Sequence, residues 1–195
     1  MLNFPLTLSF KLIALSPQVK VTDAADQTVL YVRQKLLALR EDVRVFADQE
    51  QQQQLYQINA DRILDWSANY RIRRVDGETV GTIRRQGMRS LWKATYELAD
   101  GDGAQVGTIH EESAMVKVLD ALIGEVPIIG PILTMLVNPS YLVEMNGRTV
   151  VRLKKRPAFF EGKFTLDKLA ELSEQEETLL LPSVLMMLML ERNRG

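Results

Sequence analysis

Apolar residues near the start of the chain fall on every second position. Leu2, Phe4, Leu6, Leu8, Phe10 and Leu12 are even-numbered, and Asn3, Thr7, Ser9 and Lys11 stand between them. A period of two turns one face of a strand to a core and the other to water. The alternation predicts a half-buried strand within residues 1–15. It also reads as mature protein rather than a secretory leader. No basic segment precedes it, Pro5 and Lys11 interrupt it, and no clear small-residue cleavage site follows. The expected location is cytoplasmic.

The middle of the chain repeats one unit. Residues 70–83 (YRIRRVDGETVGTI) and 96–109 (YELADGDGAQVGTI) both begin with tyrosine and end in Val-Gly-Thr-Ile. Each predicts strand, Asp-Gly turn and strand, because Asp and Gly tolerate the positive φ of tight hairpins. Looser copies follow the same plan. Residues 19–32 turn around Asp23–Asp26, residues 43–58 turn around Asp48 and the glutamine run, and residues 141–153 turn at Asn146-Gly147. With the first strand, these hairpins predict about eleven or twelve strands at the spacing of a sandwich or barrel.

Two segments break the alternation. Residues 113–137 read as a helix-like stretch followed by an apolar insertion, with Pro127, Gly130 and Pro131 among isoleucines and leucines. At the C-terminal end, Ser173-Glu-Gln-Glu176 is a capping box that opens a helix over 173–192. Residues 179–190 are apolar almost all round, with Pro182 expected to kink or restart the helix. A helix apolar on every face needs protein or lipid around it. The apolar run is too short for the roughly 20 residues a bilayer core requires. A barrel of about twelve strands is wide enough to need filling, so the expected fold is mainly β, a closed antiparallel barrel around a hydrophobic C-terminal helix, in one domain over 1–195.

Composition narrows the chemistry. A net charge of −1 is unlike a uniformly basic nucleic-acid binder, and the absence of cysteine removes disulfides, thiolate metal sites and a thiol nucleophile. His110 is the single histidine, beside Glu111 and Glu112. That allows a general base oriented by a carboxylate or, more simply, a strand residue in a hairpin wall. No nucleophile elbow, P-loop, dinucleotide fingerprint or zinc-protease helix occurs. Asp100-Gly-Asp-Gly103 lacks the ligand spacing of a calcium loop and reads as a turn. No catalytic residue, metal or cofactor is therefore expected. Trp66, Trp92 and Tyr96 interleave with arginines, but Trp92, Ala94, Tyr96 and Leu98 alternate as an inward face, so nucleic acid is not the expected partner.

Two segments concentrate positive charge. Arg71, Arg73, Arg74, Arg84, Arg85, Arg89 and Lys93 stand in 70–93 against Asp76 and Glu78, and Arg148, Arg152, Lys154, Lys155 and Arg156 stand in 148–156 with no acid. Arg71 and Arg73 share a strand face, and pairing across the turn brings Arg84 or Arg85 near them. Arginine suits bidentate phosphate contact. One reading is a phosphate-headgroup site of Arg71, Arg73, Arg84, Arg85 and Lys93, with Lys154 and Lys155 as secondary anchors. The other is a solvated outer face balanced by Glu41, Asp42 and the acids of 171–177.

The stretches 10–17 (FKLIALSP), 31–36 (YVRQKL), 70–72 (YRI) with its Asp-Gly turn, 87–93 (GMRSLWK) and 191–195 (ERNRG) together resemble the LURP-one-related family, in its bacterial branch. This is part of the superfamily that includes tubby C-terminal domains and phospholipid scramblases. The resemblance implies a barrel of about twelve strands around a buried helix. It also implies membrane association, since tubby members bind phosphoinositides through basic residues on the barrel exterior. No stretch matches the tubby phosphoinositide residues or the scramblase calcium segment position by position. Together with the basic segments, the resemblance leads us to expect a non-catalytic barrel that binds anionic phospholipid or another phosphate-bearing ligand at the cytoplasmic membrane surface. The alternative is a protein-interaction or scaffold module that uses the 123–137 apolar segment.

Overall fold

Tight hairpins organise the wall in the computed structural model, which describes residues 2–11, 18–33, 42–61, 68–86, 95–112, 140–156 and 161–192. Strands β1 (Leu6–Lys11), β2 (Gln18–Thr22), β3 (Thr28–Arg33), β4 (Val43–Phe46), β5 (Gln54–Ala60) and β6 (Asn69–Arg74) follow one another around the sheet. They continue into β7 (Thr79–Arg85), β8 (Thr95–Asp100), β9 (Gln105–Glu111), β10 (Ser140–Met145), β11 (Arg148–Arg156) and β12 (Glu161–Lys168). Pairing of β1 with β12, Leu8 opposite Phe164, closes a twelve-stranded antiparallel barrel. Closure leaves no sheet edge. The strands sit as the alternation predicts, with Leu6, Leu8 and Phe10 buried and Lys11 exposed.

The repeated turns share one construction. In the β6–β7 hairpin the Gly77 amide donates to the Arg74 carbonyl, the Arg74 amide donates to Glu78, and Gly77 has φ +91°. The β8–β9 turn repeats this with Asp100, Ala104 and Gly103, and the β2–β3 turn with Asp23, Gln27 and Asp26. These are three-residue loops whose last residue is left-handed, which is why glycine or aspartate stands there. Asp23 and Asp100 each also accept amides two and four residues on, fixing the loop from within. Asn146 and Gly147 both have positive φ, as a two-residue hairpin loop requires.

Helix α1 (Glu174–Arg192) fills the barrel as one continuous element. Its start is the expected capping box: the Glu176 amide donates to Ser173 Oγ at 3.2 Å, and the Ser173 amide donates to Glu176 Oε2 at 2.8 Å. Residues 179–189 are buried on every face. Pro182 lies inside this single helix, which does not restart there. Ser183 is fully buried within this run, and its Oγ has no hydrogen-bond partner among the described residues.

The two Val-Gly-Thr-Ile copies now have a packing explanation. Ile83 and Ile109 point inward and are fully buried. Gly81 and Gly107, two residues earlier, face the same way. A Cβ on Gly81 would lie 2.3 Å from the Ala99 carbonyl oxygen and 2.8 Å from Leu179 Cδ1. One on Gly107 would lie 2.3 Å from the Glu144 carbonyl oxygen. Gly81 thus admits a neighbouring strand and the helix, and Gly107 a neighbouring strand.

One seam is weak. Strands β3 and β4 share a single described pair, Tyr31 with Phe46, whereas β1 and β12 share six.

Candidate anion-binding site

Strand β6 is the basic element of the wall. Tyr70 and Ile72 point inward and are buried, so Arg71 and Arg73 project outward, despite a bulge between Ile72 and Arg73. At about 3.3 Å rise per residue, alternate side chains stand roughly 7 Å apart. Among the described residues, Arg71 and Arg73 have no ion-pair partner and no side-chain hydrogen bond. Register sets Gln57 beside Arg73 and Asn59 beside Arg71 on β5, and Thr82 beside Arg71 on β7. The two arginines are thus flanked by neutral hydrogen-bonding side chains.

Arg84 shares this outer face, opposite Asn69 and diagonal to Arg71. It is engaged by Glu97 on β8: Nε donates to Oε2 at 3.1 Å, and Nη2 donates to the same oxygen. Hydrogen bonds from Arg84 and then Gln86 hold the Glu97 carboxyl below the usual carboxylate range. One flank is therefore a fixed guanidinium–carboxylate pair, and the other is the unpaired arginines of β6.

Arg85 belongs to a different environment. Two residues after inward Ile83 and opposite buried Tyr96, it points into the barrel rim. Its Nε lies 3.9 Å from Glu191 Oε1 near the end of α1, and its own hydrogen finds no acceptor. Tyr96 donates its hydroxyl to the same Glu191 oxygen. Burial, then the Glu191 carboxylate, push the Tyr96 phenol well above its ordinary range, and the same two causes act on Tyr141. Period-two counting from Ile83 would have put Arg85 inside.

Lys154 and Lys155 lie on β11, four strands around the wall from β7. Lys154 sits 3.6 Å from Asp167, and Lys155 is exposed at the rim end of its strand. Among the described residues, the two basic segments do not meet in one patch. Lys93, Glu41 and the 123–137 segment lie outside the described residues. Several of the remaining acids expected to balance the arginines are engaged elsewhere, Glu171 with Lys168 at 2.6 Å among them. Asp42 binds Arg44 at 3.0 Å, while Glu176 accepts from Arg148 at 2.9 Å and from Asn146 at 3.0 Å. Burial raises the Glu176 carboxyl, but the Ser173 amide, Asn146 and Arg148 outweigh it and leave the group below its ordinary value.

An open cleft of about 540 Å³ runs along this wall from Arg71, Asn69, Thr82 and Arg84 to the β8–β9 turn at Asp100 and Asp102. From the sequence Asp102 reads only as a turn residue, and no local signal marks Asn69 and Thr82. Their outward placement follows from register with Arg71 and Arg84. His110 stands on the outer face of β9, and among the described residues neither Glu111 nor Glu112 bonds to it. Glu112 instead accepts from Ser140 at 2.6 Å and pairs with Arg152 at 3.1 Å. No group of three or more metal-ligating residues occurs among the described residues. No described helix is long and apolar enough to cross a membrane.

The family model for LURP-one-related proteins matches residues 9–126, more than half of the chain. That range holds the first hairpins, the two Val-Gly-Thr-Ile copies and the arginines of β6 and β7. Among curated proteins, none matches the chain.

Proposed function

The chain belongs to the LURP-one-related family, and from that premise we propose that it is a non-catalytic barrel whose outer wall binds a phosphate-bearing ligand, an anionic phospholipid at the cytoplasmic membrane surface. The observation that carries this reading is the pair Arg71 and Arg73, two outward guanidinium groups on one strand with no carboxylate partner among the described residues. Like charges held side by side repel, and an arriving phosphate relieves that repulsion while accepting bidentate hydrogen bonds. Arg84 adds a third guanidinium whose charge Glu97 partly offsets, and Asn59, Gln57 and Thr82 supply neutral hydrogen-bonding groups alongside. Lys154 and Lys155 act as secondary anchors from another part of the wall. Lys93 belongs to the expected set as well.

Co-sedimentation with vesicles tests the proposal. Vesicles containing phosphatidylglycerol are expected to retain the protein at low salt, and neutral phosphatidylcholine vesicles are not. Added salt weakens retention, because exposed charges are screened within about 10 Å at 0.1 M. Charge reversal at Arg71 and Arg84 should reduce retention more than reversal at Lys154. Equal absence of binding to both vesicle types at low salt would sink the reading.

A further inference from the structure

The cleft beside β6 carries opposite charges that do not meet. On one flank Arg71 has no partner among the described residues. On the other, the Asp102 carboxylate accepts no hydrogen bond and no ion pair among the described residues. The intervening charges are already used: Arg84 is held by Glu97, and Asp100 Oδ1 accepts the amides of Asp102 and Ala104. Those two amide bonds, and Gly103 at φ +88°, fix the turn that presents Asp102. Gly101 seats the turn against the wall, since a Cβ there would lie 2.4 Å from the Thr79 carbonyl oxygen. Arg71 is fixed at its base by the ladder on both sides.

A bare anion bound at Arg71 would face Asp102 across the cleft and be repelled. A ligand with a negative and a positive end satisfies both flanks, and preset partners lower the ordering cost of binding it. The volume of about 540 Å³ suits a small polar group. We propose that this cleft takes a phosphate ester bearing a primary amine, with the phosphate at Arg71 and the ammonium at Asp102. The inference rests on the phosphate reading above and specifies its ligand. The same chemistry is offered by an aminophospholipid headgroup and by a free aminoalkyl phosphate.

Calorimetric titration of the full chain with O-phosphoethanolamine, glycerol 3-phosphate and ethanolamine is the test. O-phosphoethanolamine is expected to bind about tenfold tighter than glycerol 3-phosphate, the worth of one charge-assisted contact. Asp102→Asn should erase that preference without weakening glycerol 3-phosphate, and Arg71→Gln should weaken both phosphates. Circular dichroism spectra of both variants, matching the parent, verify the fold. Equal affinity for the two phosphates overturns the inference and leaves the phosphate reading intact, whereas binding of ethanolamine as tight as its phosphate ester would mean that the phosphate adds nothing and overturns both. Absence of any phosphate binding, from solution and from vesicles, overturns both. Vesicles of phosphatidylethanolamine in phosphatidylglycerol, against phosphatidylglycerol alone, separate the sources. Preference for the mixed vesicles over phosphatidylglycerol alone assigns the lipid headgroup, and binding of the free ester with no such preference assigns the soluble compound.

Discussion

The Tyr96 hydroxyl donates to Glu191, joining strand β8 of the wall to the last turn of the helix it encloses. Arg85, opposite Tyr96 in the ladder, approaches the same carboxylate. Loss of the hydroxyl leaves Glu191 with less compensation at a crowded rim. Tyr96→Phe is expected to destabilise the protein by about 1.5–3 kcal/mol, the range for a hydrogen bond to a charged group. Urea unfolding measures it, and an unchanged midpoint would mean that the contact contributes nothing.

Ser183 gives the opposite sign. Its hydroxyl is fully buried among leucines and methionines and has no partner among the described residues. Ser183→Ala should stabilise the fold by about 1 kcal/mol, since the unfolded chain hydrates that hydroxyl and the folded one leaves it unsatisfied. A lower thermal midpoint for the variant would contradict this.

Glycine-to-alanine changes separate two roles of glycine in the repeats. At Gly81 the added methyl meets a carbonyl oxygen and Leu179, so a cost of about 1–3 kcal/mol is expected from overpacking. At Gly77 nothing lies within 4 Å, and the cost of roughly 1 kcal/mol comes from the left-handed backbone alone. Replacement of Leu179 by a smaller residue should rescue part of the Gly81 loss and none of the Gly77 loss.

Acid should loosen the start of the helix. The folded Glu176 carboxyl lies below its ordinary value of 4.5, so its stabilising contribution is complete above that pH and disappears as pH falls through the depressed value. Glu176→Gln is expected to lower the thermal midpoint at neutral pH, and to make the acid-side decline shallower than in the parent. Parallel declines would exclude this carboxylate as a contributor.

Hydrogen exchange should find the weak seam. Amides of Val32, Arg33 and Val45, beyond the single β3–β4 pair, are expected to exchange faster than those of Leu8 and Leu153, inside continuous ladders. Uniform protection around the barrel would mean that the seam is closed in solution.

Much of this architecture is written locally. Alternation in residues 2–10, the left-handed positions at Gly77, Gly103 and Asn146-Gly147, and the Ser173–Glu176 box each act over a few residues, and each is realised. Relationships that depend on closure were not legible. The reason for glycine in Val-Gly-Thr-Ile lies in Leu179 and in the neighbouring strands' carbonyls, which come near only once the wall curls. The candidate site divides in the same way. Arg71 and Arg73 share a face by simple period two, whereas the separation of Arg84 from Arg85, and the distance from both to Lys154, depend on strand register and strand order.

Ladder formation between residues 6–11 and 161–168 has a consequence for biosynthesis. Strand β1 leaves the ribosome well before its partner β12, and the segment that fills the lumen emerges later still. Until then a nascent curved sheet exposes its greasy lining and two unsatisfied margins, the condition in which chains associate with one another. Such long-range pairing also makes folding slow. A chaperone that stays bound until β12 and the helix have emerged would cover that interval.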